Sequence, residues 1–208
     1  MNLLDFEHER QSNPVDVIEQ IAALNDWSFE RAGDDEITVS VAGGWCDYHV
    51  SFSWMEEKEA VHLACAFELK VPRAREPEVM RLLSGVNEQL WIGHFDLWTR
   101  EGVIMFRQAL LLSGGAEPTS AQVEKLLHTA IEACERYFQA FQFVVWAGKN
   151  AAEALETVLF ETAGTAYFSL PFPRRRRPAT IGGGYSSLVV GTRFRPSRED
   201  ASRRCWSP

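Results

Sequence analysis

The sequence lacks most of the features that announce a reaction or a compartment. Its four cysteines (Cys46, Cys65, Cys134, Cys205) show no CxxC or CxH spacing. That excludes a disulfide framework and a zinc ribbon, and it fits free, mostly buried thiols in a reducing compartment. No apolar run approaches the length of a membrane helix; the best, "FQFVVWAG", is short and lies inside an amphipathic pattern. The first residues, "MNLLDFEHER", have neither a basic start nor a long apolar stretch. No secretory leader is therefore expected, and the expected location is the cytoplasm. GxSxG is absent, and the glycine stretches "VAGGW", "SGGAE" and "IGGGYSS" lack the lysine and hydroxyl of a phosphate loop. Each of the three is expected to be a turn or a linker. No cofactor and no metal ion is expected.

What is present is a core. Apolar residues make up 46% of the chain, with seven Trp and thirteen Phe, enough to bury one domain in 208 residues. The net charge of −8 is unevenly placed. Residues 1–166 carry 12 basic against 27 acidic side chains, whereas residues 167–208 carry nine Arg and no Lys against Glu199 and Asp200. An acidic body repels phosphate backbones and anionic membranes.

Hydrophobic periodicity supplies the elements. Asn13 and Pro14 open a helix over about residues 14–25, with Val17, Ile18, Ile21 and Leu24 at helical spacing. "EITVSVA" is a strand. In "WCDYHVSFSWM" and "AVHLACAFELKV" apolar and polar residues alternate, and Trp54 opposite Val61 puts both apolar sets on one face of a hairpin. "EPEVMRLLSGVNEQLW" is a second helix. "HFDLWT" and "VIMFRQALLL" are strands joined by a tight turn at Arg100-Glu101-Gly102. Thr119 and Gln122 form a capping box before a long helix, which Gly148 stops. A short closing helix follows in "NAAEALETVLFETA". The order α-β-β-β-α-β-β-α describes an α+β fold with an antiparallel sheet packed by helices.

The stretches "NEQLWIGHFDLWTREGVIMFRQALLL" (87–112) and "ACERYFQAFQFVVWAGKNAAEAL" (133–155) resemble the YbjN family of bacterial sensory transduction regulators. The resemblance covers roughly residues 12–165. It implies a fold similar to type III secretion chaperones, no established catalytic residue or ligand, and action through a protein partner or peptide segment, as a homodimer. The domain limits that follow are an N-terminal extension (1–12), the α+β domain (13–166) and an Arg/Pro/Gly-rich tail (167–208).

Three surface features compete for function. Trp45 and Trp98 fall on the polar side of their strands, where large aromatics anchor partners. Asp47, His49, His62 and Glu68 share one sheet face and permit a metal-assisted or hydrolytic enzyme, although any solvated sheet face presents such residues. Arg174 to Arg177, in "PFPRRRRPATIGGGYSS", permit nucleic-acid binding. The bias of that tail is also what GC-rich DNA yields when read out of frame or past a lost stop codon. The expected reading is a non-enzymatic regulator that binds protein, with no membrane partner and with nucleic acid disfavoured by the acidic body.

Overall fold

The computed structural model describes residues 12–164, apart from the side chains of Glu68 and residues 160–164. Its elements are α1 (Pro14–Leu24), β1 (Ser28–Gly33), β2 (Glu36–Ala42), β3 (Asp47–Met55), β4 (Ala60–Lys70), α2 (Glu76–Asn87), β5 (His94–Trp98), β6 (Val103–Leu111), α3 (Ser120–Val145) and α4 (Ala151–Gly164). The six strands form one sheet in the order β1-β2-β3-β4-β6-β5, and every neighbouring pair is antiparallel. The fold is α+β, as expected, with Trp54 opposite Val61.

The strand that sequence patterning passes over is β1. Its sequence, "SFERAG", offers only Phe29 as a large apolar residue. Its side chains fix it instead: the Arg31 Nη1 lies 2.7 Å from Asp16 and 2.6 Å from Glu19, both on α1. That contact ties the edge hairpin to the first helix.

Local chemistry sets the helix limits. The Asn13 side chain accepts from the Val15 N–H, and Thr119 with Gln122 closes a capping box at the start of α3. The end of α3 is held by Arg75, whose guanidinium donates to the carbonyls of Val144 and Lys149 at 2.9 and 2.7 Å. Glu78 of α2 accepts from the Ala151 N–H at the start of α4 at 2.7 Å. At the β5–β6 turn Gly102 has φ +65, and a Cβ there would lie 2.8 Å from the Val71 carbonyl oxygen.

One face of the sheet is covered. α1 packs on β1 to β3, α3 on β3, β4 and β6, and α2 beside β5, while α4 lies outside on α2 and α3. The seam is aromatic: Phe67 of β4, Phe95 of β5, and Phe138 and Phe141 of α3 stand 5.3 to 5.7 Å apart, ring centre to ring centre. Among the described residues no helix is long and apolar enough to cross a membrane. Phe141 is fully buried in that seam. Phe141→Ala is therefore expected to cost about 3–5 kcal/mol, read as a lower urea midpoint at unchanged helical signal; a cost under about 1 kcal/mol would contradict this packing.

Candidate functional site

Among the described residues no helix lies on the other face of the sheet, and alternation decides what stands there. Its middle is built from small residues: Thr38 and Ser51, then Ala64 and Ala66. Neighbouring polar groups satisfy one another, Thr38 Oγ1 with Ser51 Oγ at 3.0 Å and Ser40 Oγ with His49 Nδ1 at 3.0 Å. The middle of the floor is thus low, with the hydroxyls of Thr38, Ser40 and Ser51 paired.

The ladder separates the residues of the enzyme alternative. His49 stands opposite Ala66, whereas His62 stands opposite Ser53. The two rungs are four residue steps apart along the strand, about 13 Å at 3.3 Å per residue. Asp47 is farther still from His62, and the side chain of Glu68 is outside the described residues. The shared face is real, but the register places His62 at the wrong end for a joint site with Asp47 and His49. Among the described residues no group of three or more His, Cys, Asp or Glu could hold a metal ion.

His62 has a different neighbour, which sequence reasoning missed. Arg107 of β6 donates through Nε to His62 Nε2 at 3.1 Å and through Nη1 to Asp96 Oδ2 at 3.2 Å. Strand alternation does place Arg107 on the polar face, but only the β4–β6–β5 order brings it between His62 and Asp96. Burial, then the charges of Arg107 and His94, push the His62 imidazole down to about 4, so at neutral pH it is an uncharged acceptor for Arg107.

The thiols behave as core. Cys65 and Cys134 are buried, and burial beside Cys65 pushes the Cys134 thiol well above its ordinary range, the opposite of an activated nucleophile. Cys205 and Arg174 to Arg177 lie outside the described residues.

Trp45 sits in the β2–β3 loop rather than within a strand, and it is 49% exposed. Glu135 of α3 reaches into that loop and accepts from the Gly44 N–H at 2.8 Å. The approach requires glycine: a Cβ at Gly43 would lie 2.3 Å from both Glu135 Oε1 and a ring carbon of Tyr48. "VAGGW" is therefore more than a turn, because it seats a carboxylate and so fixes the base of Trp45. Trp98 closes β5 on the open face, half-buried. The two tryptophans occupy the same end of the sheet but are three strand spacings apart, about 14 Å at 4.8 Å per strand, so they do not touch. Outside the strands, and unmarked by periodicity, Trp91 is fully exposed and Ile92 is 52% exposed in the α2–β5 connection.

A sequence model of the YbjN family, described as "Putative bacterial sensory transduction regulator", matches residues 14–143. Among solved structures, one titled "Crystal structure of YbjN, a putative transcription regulator from E. coli" is similar at 11% identity, covering 72% of this chain and 91% of that chain with a TM-score of 0.42. No curated protein matches the sequence.

Two outcomes test the site. The fold favours uncharged His62, so as the pH falls the unfolded chain takes up the proton first, from about 6.5. Stability should be undiminished above that value and fall as the pH drops towards about 4. His62→Gln should shrink the difference in urea midpoint between neutral pH and about pH 5; an unchanged difference contradicts the assignment. Gly43→Ala should displace Glu135, lower stability by about 1–3 kcal/mol and shift the Trp45 emission, measured with the other tryptophans as internal reference.

Proposed function

The chain belongs to the YbjN family, whose sequence model spans more than half of it, and from that premise we propose a non-enzymatic regulator that works by binding another protein. The observation that carries the reading is the bare sheet face. Several of its polar groups pair with each other (Thr38 with Ser51, Ser40 with His49, Arg107 with His62 and Asp96), the residues at its middle are small, and tryptophans stand at its margin. A catalytic site would need the reverse: convergent groups with unmet hydrogen-bonding capacity around one point. A low floor with aromatic margins suits the backbone and apolar side chains of an extended or helical segment.

In this reading the fold unit runs from residue 13 to residue 166, and residues 167–208 stand apart from it by composition. The partner segment is basic or amphipathic, drawn by the acidic surplus of the body. The protein acts in the cytoplasm as a homodimer with a chaperone-like mode of holding its partner. Trp45 and Trp98 are separate anchors at one end of the face rather than one pocket.

The test is a quantitative capture experiment on the full chain. Once a partner is isolated, Trp45→Ala and Trp98→Ala should each weaken its binding at least tenfold, as interface tryptophans do, at unchanged thermal midpoint. Wild-type affinity in both variants, or a chain that stays monomeric and partner-free in lysate, would remove the reading.

A further inference from the structure

β6 is longer than the strand beside it. β5 pairs with it only over Val103 to Arg107, while β6 continues to Leu111. The ladder says which main-chain groups the difference leaves uncovered. The Leu112 N–H donates to the Glu59 carbonyl at 2.7 Å, towards β4. By alternation Leu110 and Gln108 also turn towards β4, and Ala109 and Leu111 turn the other way. β5 agrees from its own side. The Phe95 N–H and C=O are both taken by the Asn87 side chain, at 2.8 and 3.0 Å, so His94, Asp96 and Trp98 are the residues that face β6. Ala109 and Leu111 therefore aim two N–H and two C=O groups past the start of β5, and no described residue pairs with them there. Both are exposed, Leu111 at 72%.

The shortness of β5 has a cause. Gly93 adopts φ +73, a conformation outside the strand region, and a Cβ there would lie 2.2 Å from the Phe106 ring; with bends at Trp91 and Ile92, pairing with β6 starts only at His94. A shallow groove of about 430 Å³ follows, between Ile92–Gly93 and Gln108–Ala109, with His62, His94 and Arg107 also lining it. Trp91 and Ile92 form an apolar lip beside it.

The other free edges are less receptive. Asn87 holds the outer edge of β5, and Asp96 Oδ1 accepts from the Leu97 N–H at 2.9 Å. The outer strand β1 carries Glu30 and Arg31, the charged edge that resists strand addition.

The geometry points to Ala109–Leu111 as a docking edge: an extended, amphipathic segment of a protein partner adds there as a short strand in line with β5, one of its apolar side chains resting on Trp91 and Ile92. This rests on the protein-binding reading and names where the segment pairs. A second copy does not fit the edge. Symmetric pairing of two β6 strands meets His94 after two rungs, far short of the roughly 1,200–2,000 Å² of a stable interface. An extended segment of a few residues needs no more than those rungs, and the apolar lip selects its side chains.

The experiment uses the full chain and a blocked, solubilised peptide of alternating valine and threonine. In amide hydrogen exchange the Ala109 and Leu111 N–H groups should exchange fast alone and at least tenfold slower with saturating peptide. Those of Gln108 and Leu110 should be slow in both. Ala109→Pro removes an N–H that the fold does not use, so this edge position should tolerate it. The variant should keep the wild-type thermal midpoint and lose peptide binding at least tenfold. Absence of binding, absence of protection at Ala109 and Leu111, or full binding by a folded A109P overturns the inference. Should A109P not fold, the exchange result on the wild-type chain decides alone. If the edge fails here while Trp45→Ala and Trp98→Ala still weaken partner capture, the protein-binding function stands and only this location is lost.

Discussion

Everything on the open face depends on how α3 is held against the covered one. Phe138 and Phe141 of the helix meet Phe67 and Phe95 of the sheet, rings 5.3 to 5.4 Å apart, with Tyr137 at 6.0 Å from Phe95. These contacts span strands that are distant in sequence, so they fix the β4–β6–β5 order as well as the helix. One helix turn farther back, Glu135 reaches the Gly43–Gly44 loop and sets Trp45. Beyond its far end, Arg75 and Glu78 join α3 and α2 to α4. The described helices thus all join on one side, and among the described residues none covers the opposite sheet face.

A bare sheet face is costly in solubility unless its surface is polar or small. Here it is both. The hydroxyls of Thr38, Ser40 and Ser51 are paired in place, and Arg107 is held between a neutral His62 and Asp96. Such a surface resists indiscriminate sticking. What it retains is shape, margin aromatics and, beyond β5, a short length of open ladder. Those features suit the proposed recognition by backbone pairing and apolar anchoring.

Much of this was legible in the residues because local and tertiary signals agree. The β3–β4 register, the capping box at Thr119 and the apolar stripe of α3 all follow from periodicity and cap chemistry. β1 was not legible, because a charged edge strand carries little alternation and is held by Arg31 reaching α1. The site was legible only in part. Asp47, His49 and His62 do share a face, as alternation requires, but distance along a strand depends on register, and that separates them. Arg107 needed the crossover order of the sheet before it could be placed beside His62. Trp91 lies in a connection, where no period marks exposure. The seat that Glu135 takes at Gly43 and Gly44 joins positions some ninety residues apart in sequence, which no short pattern reveals.

The central claim is that the bare face is the working surface, and site-specific photo-crosslinking in the native host measures it most directly. A photoreactive residue at Ala66, exposed at the centre of that face, is compared with one at Glu132, exposed on the outer side of α3. The account predicts a discrete protein adduct from position 66 and none from position 132. Adducts of equal yield from both positions, or none from position 66 while position 132 captures a protein, would contradict it.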